Sequence, residues 1–182
     1  MGLTYTHVRD QSRQVWGQFG DKLWLPNATA NAKLEYKDCR ELHNSKIGKV
    51  SVLAAMGESL EANIDLLKAN RDKYEITTCD KGFGALLDHG IKADYVVLCD
   101  ASIPFKWLEK HVEQTKDVNL LATTYANPEW THVWKGDKYF YINKDAIETE
   151  RKFVPIFGDK MRIMAAGSNV SNAMSIFWTG CD

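Results

Sequence analysis

Two aspartates stand at positions where their carboxylates could bind one ligand together. Asp80 closes the apolar run "YEITTCD" and Asp100 closes "ADYVVLCD", and both runs are typical of buried strands. Because neighbouring strands lie about 5 Å apart, the two carboxylates are expected to be close neighbours at one sheet edge. Such a pair shares a proton or holds a cation, and Mg²⁺ favours one or two carboxylates plus substrate phosphates. We predict that Asp80 and Asp100 bind magnesium or ribose and that Asp100 is catalytic; capping of the following helix is the alternative.

Two short stretches place a glycine and polar residues between a strand-like run and a helical pattern. They comprise Gly57, Glu58 and Ser59 in the first stretch and Gly167, Ser168 and Asn169 in the second. Glycine permits close approach of a ligand to the backbone, and the free amides of a helix start can hold a phosphate. Both stretches are therefore predicted to bind a nucleotide cofactor or donor, with Ser59 as a helix N-cap. Glu58 would repel a phosphate unless a cation intervenes, so plain capping is an equal interpretation of the first stretch.

One histidine is a candidate acid or base. His132 stands in an aromatic stretch with Trp130, Trp134 and Tyr139, which could form a wall over a sugar or a ring. Core packing is the ordinary role of such aromatic residues, and an incidental surface position is the alternative for His132.

The elements that must position these residues alternate regularly from residue 50. Strand-like runs begin at residues 50, 74, 93 and 118, and helical patterns such as Leu60, Ile64 and Leu67 separate them. A further helix is predicted to begin at Pro104. This alternation predicts parallel pairing with right-handed crossovers. The expected fold class is α/β, a Rossmann-like doubly wound, mainly parallel sheet with a small N-terminal helical extension.

The domain organisation is predicted from the change in pattern at residue 50. Residues 1–49 are interpreted as the N-terminal extension and residues 50–182 as a Rossmann-like nucleotide-binding domain. Residues 125–153 contain no clean helical pattern and are expected to be a long functional loop. A short strand in "MRIMAAG" and a last helix follow. The sequence stops where such a fold often places another strand, so the domain is expected to be short or truncated at its C-terminus.

Composition excludes several classes of partner. The formal net charge is -1, so no global basic field attracts nucleic acid, and no apolar run approaches the roughly 20 residues that cross a bilayer. The four cysteines, Cys39, Cys79, Cys99 and Cys181, are too widely spaced for a zinc or redox pair. The predicted location is therefore a reducing cytoplasm, and the predicted partner is a small molecule, a nucleotide or nucleotide sugar.

Three blocks resemble, in order and at similar spacing, a known protein family. They are "GESLEANIDLLK", "TTCDKGFGALLDHGIKADYVVLCDA" and "AAGSNVSNAMSIFWTGCD". The set is similar to the 6-hydroxymethylpterin diphosphokinase MptE-like family, which also covers the Maf flagellin glycosylation accessory factors. Glu58 departs from the resemblance, since the family has proline there.

The resemblance implies a sialyltransferase-like fold and a nucleotide-activated substrate. It carries over as a donor crevice the residues Gly57, Ser59, Asp80, Asp100, Gly167 and Ser168. Some members move pyrophosphate from ATP to a pterin alcohol with magnesium, and others transfer nonulosonic acid sugars from a CMP-activated donor.

Three functional interpretations follow. The first is a nucleotide-dependent transferase, by glycosyl transfer from a CMP-activated sugar or diphosphoryl transfer from ATP to a pterin-like alcohol. The second is an S-adenosylmethionine-dependent methyltransferase, in which Gly57 would meet the methionine and Asp80 the ribose. The third is a non-catalytic nucleotide-binding module, for which we expect Glu58 to be bridged to a nearby lysine.

Overall fold

The chain folds around one parallel β-sheet. A computed structural model describes residues 10–11, 13–42, 45, 48–144, 147–158, 160–164 and 170–179. Its strands are β1 Val50–Ala54, β2 Tyr74–Cys79, β3 Tyr95–Leu98, β4 Asn119–Thr123, β5 Lys138–Asn143 and β6 Arg162–Met164. They lie side by side in chain order, and each neighbouring pair is parallel.

Helices connect and cover the strands. They are α1 Leu25–Asn31, α2 Glu58–Ala69, α3 Asp80–Asp88, α4 Pro128–Val133, α5 Ile147–Phe157 and α6 Val170–Thr179. A π-helix, Trp16–Trp24, runs directly into α1. Short 3₁₀ turns occupy Cys39–Leu42, Arg71–Lys73, Phe105–Trp107, Glu109–His111 and Glu113–Asp117.

The helix predicted from Pro104 is wrong in type, because the crossover from β3 to β4 consists of three 3₁₀ turns. Pro104 itself is extended, with ψ at 129°. The buried residues Leu108 and His111 are three apart, which places them on one face of a 3₁₀ turn. The amide of His111 donates to the carbonyl of Leu108 at 2.7 Å in that pattern.

Two apolar layers cover the sheet. On one face the buried strand residues, such as Val96 and Phe140, pack with all five crossovers between β1 and β6. This follows from the strand order, because right-handed crossovers that always step in the same direction stay on one face. On the other face, Val97 and Tyr141 pack against α6 and the Cys39–Leu42 turn. The predicted Rossmann-like, mainly parallel α/β fold is confirmed. The doubly wound arrangement is not found among the described strands, because their order never reverses and the five crossovers lie on one face.

The structure corrects the prediction of an irregular loop over residues 125–153. That stretch contains α4, β5 and the first part of α5. The segment "KYFYIN" is a strand because aromatic and β-branched residues pack well on a pleated surface. Trp130 and Trp134 are 0% and 2% exposed, so they fill the core rather than wall a ligand.

The N-terminal helical part belongs to the same core as the sheet. Trp16 packs against Phe153 of α5, with ring centroids 6.0 Å apart. The side-chain amide of Asn31, at the end of α1, donates to the carbonyls of Thr124 and Ala126 at 3.0 and 2.9 Å. These buried bonds attach α1 to the segment that follows β4.

Candidate functional site

A large hollow opens at the carboxyl edge of the sheet, where β1, β2, β3 and β5 end. Its volume is about 980 Å³, at the upper end of the roughly 300–1,000 Å³ typical of small-molecule sites. The loops after three strands contribute Met56, Asp80 and Asp100. The polar lining is completed by Lys81, Ser102, Asn143, Lys144 and Ser171.

Asp80 and Asp100 lie in this hollow, close enough to influence one another. Burial raises the pKa of Asp80 above its ordinary value of 3.8; a hydrogen bond from the Lys81 amide opposes that rise, and the charge of Asp100 adds to it. That amide lies 2.6 Å from Asp80 Oδ1. Asp100 Oδ1 accepts hydrogen bonds from the amide and hydroxyl of Ser102 at 2.8 and 3.0 Å. A cation between the two carboxylates would relieve their repulsion.

Two lysines, which sequence reasoning missed, bring positive charge to the same hollow. Lys81 Nζ lies 4.6 Å from the centroid of the Trp107 ring, and Lys144 Nζ lies 3.0 Å from a carboxylate oxygen of Glu150. Lys81 directly follows Asp80, so its position was available from the sequence. Lys144 directly follows β5, a strand that the sequence interpretation did not include.

The first predicted helix start follows Met56, which lines the large hollow, but Gly57, Glu58 and Ser59 do not line it. Gly57, not Ser59, is the N-cap of α2, so the predicted cap is wrong. Gly57 has an extended backbone with φ at 174°, and its carbonyl accepts from the Leu60 amide at 2.9 Å. Gly57 and Glu58 are exposed, whereas Ser59 lines a second hollow of about 370 Å³ between β1 and α2.

The third interpretation, a non-catalytic nucleotide-binding module, predicts an ion pair between Glu58 and a lysine. The ion pairs in the described part of the chain include no such pair.

The second predicted helix start lies outside the described residues. This applies to Gly167, Ser168 and Asn169 alike. The helix that follows them, α6, begins at Val170, and both Val170 and Ser171 line the large hollow. The described end of this segment therefore faces the hollow.

The structure does not bring His132 to the other candidates. Its side chain is exposed on α4 and does not line the large hollow. The role of His132 as an acid or base stays a prediction without a place in this site.

An apolar wall closes the other side of the hollow. It comes from the π-helix, with Phe19, Leu23 and Trp24, and from Val15 directly before it. Sequence reasoning assigned these residues to a separate extension, although the four-residue spacing of Val15, Phe19 and Leu23 was a readable sign of a shared face.

A family model described as "6-hydroxymethylpterin diphosphokinase MptE-like" matches residues 23–178. The chain belongs to this MptE-like family. An uncharacterized protein of Treponema pallidum (strain Nichols) is 32% identical over 91 residues, which are 50% of this chain and 42% of that relative. The chain thus spans less than half the length of this curated relative.

A solved structure, the MAf glycosyltransferase from Magnetospirillum magneticum AMB-1, is similar with a TM-score of 0.68 at 20% identity. The match covers 98% of this chain and 26% of that one, and it shows that the MptE-like fold is shared.

The described residues of the MptE-like chain contain no helix that combines the length and apolarity required to span a membrane. They also contain no cluster of three or more His, Cys, Asp or Glu side chains placed to hold a metal ion.

Proposed function

We propose that this MptE-like chain is a nucleotide-dependent transferase whose donor binds in the large hollow. The observation that carries the proposal is the meeting of Asp80, Asp100 and two lysine-bearing segments in one cavity at the carboxyl edge of a parallel sheet. Ligands of open α/β sheets bind at that edge. Both chemistries that the family and its structural neighbour represent, diphosphoryl transfer and glycosyl transfer, use a phosphate-bearing donor.

The charges of the hollow suit a nucleotide phosphate. Lys81 and Lys144 would offset the negative charge of the donor, while Asp80 and Asp100 would hold magnesium or the ribose hydroxyls. Asp80 and Asp100 are close enough for the charge of Asp100, together with the larger effect of burial, to raise the pKa of Asp80, and a cation between the two carboxylates would offset that repulsion. When bound, magnesium would neutralise charge on the phosphates.

The residues themselves would act mainly by positioning and by charge neutralisation. The ammonium group of Lys81 lies over the ring of Trp107, and both residues line the hollow, so this positive charge is available at its wall.

Isothermal titration with ATP, CTP and CMP, each with and without magnesium, tests the proposal. We expect the wild-type chain to bind at least one of them and Asp80→Asn to lose the magnesium-dependent part. Asp72→Asn is the matched control, because it removes an exposed aspartate from the turn before β2, at the opposite edge of the sheet. A charge-assisted hydrogen bond contributes about 1.5–3 kcal/mol, so the loss at Asp80 should be tenfold or more.

Failure of all three nucleotides to bind, with or without magnesium, would overturn the transferase proposal. Stabilisation by S-adenosylhomocysteine in a thermal shift assay would instead favour the methyltransferase interpretation. In that case Asp80 would meet the ribose of a different cofactor.

A further inference from the structure

Three aromatic rings form a near-parallel stack in the apolar wall of the large hollow. The ring centroids of Phe19 and Trp24 lie 5.8 Å apart with 21° between their planes. Those of Trp24 and Tyr125 lie 4.6 Å apart at 16°. Trp24 and Tyr125 are buried, but Phe19 is 43% exposed. The stack therefore ends in an accessible ring, and all three residues line the hollow.

The helix that carries Phe19 has an unusual geometry. Trp16–Trp24 is a nine-residue π-helix, a form that is rare and occurs mostly as single-turn bulges, frequently at functional sites. Gly20 makes it compatible with the packing of Trp16, because a Cβ at Gly20 would lie 2.3 Å from the Trp16 indole. A rare helix form that carries an exposed aromatic ring, Phe19, into the wall of the hollow points to a use for that ring.

The π-helix is attached firmly to the rest of the domain. Lys152 of α5 bridges to it twice, with Nζ 2.8 Å from Asp21 Oδ1 and 4.8 Å from the Trp16 ring centroid. Trp16 also packs on Phe153 of the same helix. The aromatic stack is thus a rigid surface, which is what an oriented binding site requires.

The two sides of the hollow differ in chemistry. Asp80, Asp100 and Lys144 lie on the strand-end side, and the aromatic stack lies on the π-helix side. A ligand that satisfies both sides has a charged or polar part and a flat apolar ring. Aromatic side chains bind flat heterocycles by offset stacking.

We propose that Phe19, supported by Trp24 and Tyr125, is the stacking platform for a planar heterocycle of the ligand. The identity of that ligand rests on the proposed function: the ring is the base of a nucleotide donor or a pterin-type acceptor. Phe19 is then a specificity-determining residue, and the π-helix is a part of the site rather than an appendage.

Calorimetry with ligands that carry or lack the ring tests this proposal. CMP, ATP and 6-hydroxymethylpterin carry it, while ribose 5-phosphate and inorganic pyrophosphate do not. Phe19→Leu keeps an apolar side chain but removes the aromatic face, Phe19→Tyr keeps the face, and Val154→Ala truncates an exposed apolar residue of α5 as a control. Thermal unfolding of each variant verifies that it folds.

We expect Phe19→Leu to weaken binding of a ring-bearing ligand about tenfold. Phe19→Tyr keeps the aromatic face and should bind that ligand as tightly as the wild type. Whichever of the nucleotides or the pterin responds identifies the source of the ring. Binding of ring-free phosphates should be the same in both variants and the wild type. The Val154→Ala control should bind like the wild type.

The negative outcomes are distinguishable. If the wild type binds a nucleotide and Phe19→Leu binds it equally well, the stacking platform is wrong and the transferase proposal stands. Equal weakening of ring-free phosphates would also overturn stacking, because the substitution would then act on the whole hollow. If the wild type binds none of the ring-bearing ligands, the transferase proposal falls together with the platform.

Discussion

A substitution at Gly82 tests how tightly α3 packs against β1 and β2. Gly82 lies near the start of α3, and a Cβ there would lie 2.2 Å from Thr78 Oγ1 and 3.1 Å from the Ala54 carbonyl oxygen. The Thr78 hydroxyl donates to that same carbonyl at 2.6 Å, a buried bond that joins β2 to the end of β1. Gly82→Ala must therefore displace Thr78 or the backbone of β1.

The opposing effects of Gly82→Ala differ enough in size to decide whether the substitution raises or lowers the free energy of unfolding. Alanine is favoured over glycine in a helix interior by about 0.8–1.0 kcal/mol. Overpacking a core costs about 1–3 kcal/mol, and leaving a buried carbonyl without its hydrogen bond costs a similar amount. We expect Gly82→Ala to lower the free energy of unfolding by about 3 kcal/mol, despite its better helix propensity.

Urea unfolding followed by tryptophan fluorescence measures this change. Gly84→Ala in the same helix is the matched control, because its Cβ would meet His111 Nε2 only at 3.3 Å, and we expect a change below about 1 kcal/mol. In a Thr78→Ala background the overlapping hydroxyl is gone, so Gly82→Ala should be neutral or stabilising there. A Gly82→Ala protein as stable as the wild type with Thr78 intact would refute the reasoning.

Three further predictions concern other parts of the fold and site. Gly136→Ala should lower the free energy of unfolding by about 3 kcal/mol in urea titrations, because its Cβ would lie 2.1 Å from the Val118 carbonyl oxygen; wild-type stability would contradict that contact. Gly57→Ala should leave the unfolding midpoint in urea unchanged, since its Cβ meets nothing within 4 Å; a clearly lowered midpoint would contradict that open position. Burial and the charge of Asp100 raise the pKa of Asp80, so its ionisation opposes folding at neutral pH. Asp80→Asn should therefore unfold at a higher temperature than the wild type at pH 7, with the gain vanishing as the pH falls below 3.8; a gain that persists at low pH would exclude this linkage.

The first four strands were predictable because each is a compact apolar run of small, β-branched or aromatic residues. The order of the strands in the sheet was not predictable. A run such as "ADYVVLCD" indicates a strand that is buried on both faces, but it does not indicate which strands lie beside it. β5 was missed because its residues were interpreted as part of the long loop, and Tyr139 as part of an aromatic wall, although "YFYI" with turn residues on both sides is a strand signal. Because β5 was missed, the site residues Asn143 and Lys144 at its carboxyl end were missed as well.

The two strand-end aspartates were predictable because a polar residue directly after a buried strand has few structural reasons to be there. The aromatic wall was not, because it depends on a long-range contact between the π-helix and Tyr125, which is 101 positions from Trp24. The N-cap of α2 was placed two residues late, since Ser59 is the better capping residue by type but Gly57 has the extended backbone that a cap requires.

A crystal structure of the chain grown with magnesium and the tightest-binding of CMP and ATP gives the most direct test of where the ligand binds. We expect the nucleotide in the 980 Å³ hollow, with its phosphates beside Asp80 and Asp100. Nucleotide density confined to the smaller hollow between β1 and α2, or an empty large hollow at saturating concentration, would contradict the assignment of this site.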